Sequence, residues 1–193
     1  SDPRKEFYSF IDAANVDLKG FTERFYKKIC GGDLASVLDT LIYLKKETNV
    51  WFEITTLLIP GENDSEKEIE EQTQWIIENL GPNIPLHFTA FHPDFKMRDI
   101  ERTPFHTLNR ARDIAIKNGI NFVYTGNVHD ERGSSTYCPS CKKKLIGRDW
   151  YVLSDWEISK EGKCKFCNCK IDGLFEEKPG DWGANRLPIR ISG

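Results

Sequence analysis

The chain has 193 residues, 39% hydrophobic and 12% aromatic, which suffices for a packed core and excludes a disordered protein. Its net charge of −3 gives no general case for nucleic-acid or membrane-surface binding. No apolar run approaches the roughly 18 residues of a membrane span, and no secretory signal opens the chain, so its six cysteines read as reduced thiols of a cytoplasmic protein.

In chain order, Lys5-Glu6-Phe7-Tyr8 reads as a strand entered at once, as though the sequence began inside something larger. Val16-Asp17-Leu18 is a short strand closed by Lys19-Gly20, and Phe21, Phe25, Tyr26 and Ile29 fall at helical spacing. Leu34 to Lys46 forms an amphipathic helix entered through Gly31-Gly32-Asp33. Val50 to Ile59 is rich in β-branched and apolar residues, the pattern of a buried parallel strand, and stops at Pro60-Gly61. Asn63-Asp64-Ser65 offers caps for a helix through Ile69, Gln72, Thr73, Ile76 and Leu80, ended by Gly81-Pro82. A strand over Leu86 to Phe91 comes next, then a helix opened by Thr103-Pro104 and closed at Asn118-Gly119, then a strand over Asn121 to Tyr124.

Strands and helices alternate every 30 to 35 residues or so, which implies parallel β/α units with functional residues at strand C-termini. Asp17 and Lys19, Thr55 to Gly61, His87 to His92 and Thr125 to Asp130 occupy those ends. Four strands cannot close a barrel, so the fold expected for residues 1–133 is a partial, TIM-like β/α barrel.

The tail reads differently. Cys138-Pro139-Ser140-Cys141 and Cys164-Lys165-Phe166-Cys167 are two C-x2-C pairs, and together they complete the tetrahedral four-thiolate shell of a structural metal site. Zn²⁺ is favoured, and a rubredoxin-like iron also suits the shell. Residues 134–193 are therefore expected to form a small zinc-ribbon or rubredoxin-like module dependent on its metal. Its own core and docking face are expected from Trp150, Tyr151, Trp156 and Trp182, with Trp182 as the alternative contact for a protein partner. Each second cysteine wants a successor that tolerates positive φ, which Asn168 does more readily than Lys142. Cys169 is the poorer ligand by spacing, and Cys30 reads as a small buried residue. The tail holds 11 Lys/Arg against 8 Asp/Glu and the body 16 against 22, so a metal-loaded tail would be nearly neutral.

The segments Ala14 to Phe21, Glu47 to Gly61, Leu86 to Asp94, Tyr124 to Asp130, Ser135 to Cys141 and Pro179 to Gly183, taken as an ordered set, resemble radical S-adenosylmethionine (SAM) enzymes related to pyruvate formate-lyase activating enzyme. The AmmeMemoRadiSam system branch matches best. The resemblance implies a [4Fe-4S] cluster and SAM as cofactors, cleavage of SAM to a 5′-deoxyadenosyl radical, and hydrogen abstraction from an unknown substrate. It further implies that Asp17 and Lys19 hold the methionine end of SAM, with Thr55 and His92 as additional cofactor contacts. Thr55 lies on the strand where relatives carry an arginine, which weakens the carry-over there. Memo-like and AMMECR-type proteins are the implied partners. The family's C-x3-C-x2-C cluster loop is absent, so the chain reads as a C-terminal portion that alone would not cleave SAM.

Bland readings compete at each position: a solvated strand-end ion pair for Asp17 and Lys19, β-propensity for Thr55, a loop cap for His92, a structural role for His87, and linker caps for His129 and Asp130. The rival to the enzyme reading is a non-catalytic zinc-ribbon binding module, with Lys142, Lys143 and Lys144 as a basic patch for nucleic acid or protein. The near-neutral metal-loaded ribbon argues against nucleic acid. A zinc hydrolase is disfavoured, since four thiolates leave no open position for water.

Overall fold

The computed structural model describes residues 3–181 and 183–185, and these divide into two compact units, Ser1–Gly133 and Ser134–Gly193. The expectations for Trp182 lie outside the described residues.

In the first unit, β1 (Ala13–Asp17), β2 (Trp51–Leu58), β3 (Leu86–Ala90) and β4 (Val123–Gly126) form one sheet in the order β1-β2-β3-β4, every pair parallel. A doubly wound sheet reverses its strand order at a switch point. This sheet does not reverse, so successive strands step one way as in a β/α barrel. Three long helices connect the strands: α3 (Leu34–Glu47), α4 (Glu66–Leu80) and α5 (Phe105–Lys117). Two are entered through side-chain caps, with Asp33 accepting from Ser36 N–H and Ser65 accepting from Glu68 N–H. Leu41 and Leu44 of α3, Ile69, Ile76 and Leu80 of α4, and Leu108, Ala111 and Ala115 of α5 join one core with Phe52, Ile54, Leu58, Leu86, Phe88, Ala90 and Val123.

Those strand residues all lie on one face. The register sets Val16, Ile54, Leu86 and Val123 in a row, and the next row over is Asp17, Thr55, His87 and Tyr124. Every member of the second row is half-buried or exposed. The expectation of a buried β2 is therefore corrected: Phe52, Ile54, Thr56 and Leu58 are buried, while Trp51, Glu53, Thr55 and Leu57 are not. Period-2 alternation was present in this strand but masked by its apolar content. Parallel sheets occur almost solely with both faces covered. A parallel sheet with helices packed on one side and a half-exposed polar face on the other has the form of a barrel wall seen from inside.

Two local expectations also change. Pro3–Tyr8 is a helix, α1, where a strand was expected, with Arg4 stacked over the Tyr43 ring at 4.8 Å. The helix expected from Phe21 to Ile29 is a single α-turn, α2 (Glu23–Phe25), running into a π-helical turn at Tyr26–Cys30. A π-turn adds a residue per revolution and rotates the succeeding side chains off the inward face. Ile29 is accordingly 38% exposed and Cys30 is exposed, not buried.

The second unit is a three-stranded antiparallel sheet, β5 (Thr136–Tyr137), β6 (Lys144–Asp149) and β7 (Val152–Trp156). Trp150 and Tyr151 do not join its core as expected. Trp150 and Tyr151 sit at the β6–β7 turn, 53% and 65% exposed, because Trp150 takes the left-handed φ of 52° that reverses the chain. Leu145, Ile146, Ile158 and Ile171 are buried instead, together with Cys138 and Cys164. Trp156 is half-buried and donates from Nε1 to the Glu176 carbonyl at 3.1 Å.

Candidate functional site

The strand C-termini of the first unit are tied together by side chains that reach across strands. Thr56 donates to the Leu18 carbonyl at 2.8 Å and accepts from Gln72 at 2.8 Å. Asn63 donates to the carbonyls of Lys19 (2.6 Å) and Leu57 (2.9 Å) and accepts from Ile59 N–H at 2.7 Å. Thr103 bridges Leu58 and Phe91, and Asn127 reaches the Ala90 carbonyl at 3.1 Å. Strand ends normally leave carbonyls without ladder partners; here polar side chains, several fully buried, satisfy them. The result is a rim held in place by directional bonds rather than by loop packing.

The opening strand end is held most closely. Lys19 N–H donates to the Tyr26 hydroxyl at 3.0 Å, so the π-turn serves to bring that phenol under the strand end. Burial pushes the Tyr26 hydroxyl up to about 12, partly offset by this hydrogen bond. Glu68 accepts from Phe21 N–H at 2.7 Å, and burial raises its carboxyl above the ordinary range. Gly20 sits where a Cβ would lie 2.8 Å from the Phe25 ring and 3.2 Å from Glu68 Oε1, so a side chain there would displace both.

On this rim Asp17 and Lys19 form an ion pair, Nζ to Oδ2 at 3.1 Å, with both side chains more than a third exposed. Thr55 is the register partner of Asp17 on the neighbouring strand. His92 comes after β3 at the same end of the sheet, but two strand spacings separate it from Asp17, on the order of 10 Å of sheet width. Its ring Nδ1 lies 3.0 Å from the Pro93 carbonyl and it is exposed. Asp17, Lys19 and Thr55 are thus neighbours, whereas His92 shares the end of the sheet with them but not a contact. Asp130 accepts from the Thr125 hydroxyl at 2.7 Å, and a Cβ on Gly133 would fall 2.1 Å from both groups, so this aspartate closes a turn.

The open face also carries a grouping that the linear sequence did not signal. Glu53 Oε2 lies 2.6 Å from His87 Nε2, and Tyr124 stacks on the imidazole at 4.9 Å between centroids and 25° between planes. Alternate positions on β2 and β3 come together only once the register is known.

In the second unit the four cysteines meet as expected from their spacing. Their sulfurs all lie within 4.8 Å of one another, with Cys138–Cys167 at 3.6 Å and Cys141–Cys164 at 3.7 Å. Tetrahedral thiolates at a metal–sulfur distance near 2.3 Å stand about 3.8 Å apart, so a single ion fits. The two turns are near copies. Lys142 N–H returns to the Cys138 carbonyl at 3.0 Å and Asn168 N–H to the Cys164 carbonyl at 2.8 Å, each residue at a φ of 61°. Lys142 therefore takes the left-handed position as fully as Asn168 does. Cys169 stays outside the group, its thiol turned to the Lys170 carbonyl. Burial pushes Cys138 up to about 12, while a hydrogen bond from the Cys169 backbone brings the exposed Cys167 down to about 6. An ion must offset the cost of ionising the buried thiol, so metal binding and proton release are linked.

No family model matches the chain. It is 41% identical over 163 residues to the uncharacterized protein MJ0808 of Methanocaldococcus jannaschii, covering 84% of this chain and 48% of that protein. The chain thus spans about half the length of this curated relative. Among solved structures, a domain of pyruvate-formate lyase-activating enzyme from Bacteroides vulgatus superposes with a TM-score of 0.56 at 16% identity, over 66% of this chain and 74% of that one. The fold is shared. At that identity the likeness speaks for architecture, a parallel β/α scaffold, and the four-cysteine group adds a metal-binding module to it. Among the described residues no helix is long and apolar enough to cross a membrane.

Proposed function

We propose that the first unit is one wall of a radical SAM-type barrel of the AmmeMemoRadiSam kind, and that its strand C-termini receive the methionine end of SAM. The observation that carries this reading is the unreversed parallel sheet with one face packed by helices and the other half-exposed and polar. The fold shared with the activating-enzyme domain supports it.

Asp17 and Lys19 suit the zwitterion of an amino acid. Exposed ion pairs are worth at most about 1 kcal/mol, so this one opens at little cost. Asp17 then accepts from the ligand's ammonium group while Lys19 meets its carboxylate, and each charge keeps an opposite partner. The bonds from Tyr26 and Asn63 to the Lys19 backbone fix the strand end, so the cost of ordering it is met before the ligand arrives. Thr55 contributes a hydroxyl beside Asp17, where an arginine would have added a fixed cation. His92 stands where a longer part of the ligand, such as its adenosine, would extend across the rim.

In such an enzyme a [4Fe-4S] cluster would supply the electron for SAM cleavage, and the residues named above would hold SAM for it. The cysteines of this chain do not fit that cluster. No C-x3-C-x2-C run occurs, and the sulfurs that do converge are spaced for one ion, closer than a cubane requires. The chain by itself therefore binds and positions but does not reduce SAM. For the ribbon we infer one Zn²⁺, held by Cys138, Cys141, Cys164 and Cys167.

The test uses the complete gene product that carries this chain, reconstituted with iron and sulfide without oxygen and then reduced. The expected result is 5′-deoxyadenosine formed from SAM and strongly diminished by Asp17→Asn. Equal formation by both forms would remove Asp17 from the site, and none from either would reject the enzyme reading.

A further inference from the structure

We propose that Glu53 and His87 form a proton-accepting site on the open face of the sheet, directed at the hydroxyl or amine proton of a small neutral or cationic ligand. Three adjacent features support this. The carboxylate and imidazole are 2.6 Å apart, with side chains 34% and 27% exposed, so the pair is held tightly but open to solvent. Trp51 donates from Nε1 to Glu53 Oε1 at 3.3 Å, which leaves Oε2 facing the histidine. Tyr124 covers one face of the ring, restricting approach to the ring edge and the opposite side.

A carboxylate that accepts from one imidazole nitrogen selects the tautomer protonated there and leaves the other nitrogen with its lone pair. Here the Nε2 proton is held by Glu53, and Nδ1 makes no hydrogen bond to any described residue. The step is a proton transfer alone. A ligand O–H or N–H gives its proton to Nδ1, Nε2–H stays on Glu53, and the imidazolium formed is paired with the carboxylate beside it. The same proton returns when the ligand product leaves, so no oxidant or reductant enters. Charge sets the ligand class. Among the described residues this face carries the carboxylates of Glu53 and Asp17 and, as cation, Lys19 paired with Asp17, a set that disfavours an anion beside the dyad. Glu53 acts here as a positioning residue, because it sets the tautomer without touching the ligand.

This inference rests on the open face being a chamber wall, as in the proposed function, but not on SAM. Two readouts on the full chain test it. Two-bond 1H–15N imidazole spectra at alkaline pH are expected to show His87 as the Nε2–H tautomer, with the preference lost in Glu53→Ala. Diethyl pyrocarbonate, which acylates a bare imidazole nitrogen, is expected to modify His87 faster than the exposed His92, and Glu53→Ala is expected to abolish that advantage. Asp17→Asn, which disables the proposed SAM site, should change neither result. Glu53→Gln, matched in size, repeats the acylation comparison should the alanine variant fail to fold. An Nδ1–H tautomer, or acylation of His87 no faster than that of His92, overturns the proposal even where SAM binds. Failure of SAM binding with both His87 signatures intact overturns only the cofactor reading.

Discussion

The two units reach order by different physics. The first buries a continuous apolar face, with Phe88, Leu86, Ile54, Leu108 and Ile76 among its fully buried residues. The second buries a handful of aliphatic residues and two cysteines, and turns Trp150, Tyr151 and Phe166 to solvent. We expect its order to depend on a metal held by the four converging sulfurs. Among the described residues, buried polar side chains are more numerous in the first unit, which carries threonines, Asn63 and Gln72 along its rim, than in the second, where Ser135 and Thr136 are buried.

Metal removal should separate the two units most sharply. A chelator, or Cys138→Ser, is expected to unfold the second unit while the transition of the first unit persists, since structural zinc contributes on the order of 10 kcal/mol in small domains. Resolved amide spectra before and after chelation check this. Phe88→Ala is expected to lower the first unit's stability by about 3–5 kcal/mol in denaturant melts, leaving metal retention by the second unchanged. Thr56→Val, which deprives the Leu18 carbonyl and Gln72 of their shared partner, should cost about 1–3 kcal/mol and loosen the Asp17–Lys19 strand end.

The smallest effect has the opposite sign. Glu68 is a carboxyl whose folded value is raised by burial, so the folded state binds its proton more readily than the unfolded chain does. Its contribution becomes more favourable as pH falls from neutrality through the folded value, levelling off below the ordinary glutamate range. Glu68→Gln keeps an acceptor for Phe21 N–H and should slightly stabilise the first unit near pH 7, with a flatter stability profile in that acidic window.

Much of this was legible in the chain. Asp33, Ser65 and Gly81 marked helix ends that the structure reproduces, and the C-x2-C pairs led directly to the sulfur cluster. Features that depend on register or rotation could not be read. The pairing of Glu53 with His87 needs the alignment of two strands 34 residues apart. The exposure of Ile29 and Cys30 arises from a π-turn that leaves no mark in helical spacing. Trp150 looked like core by size alone, yet the turn it occupies puts it outside.

The most direct test of the central claim, that the rim of the first unit is a SAM site, is to titrate SAM into the 15N-labelled chain and follow its amide resonances. The account predicts shifts concentrated at Asp17 to Gly20, around Thr55 and near His92, and weakened binding in Lys19→Ala. Shifts confined to the four-cysteine unit, or an unchanged spectrum at millimolar SAM, would contradict it.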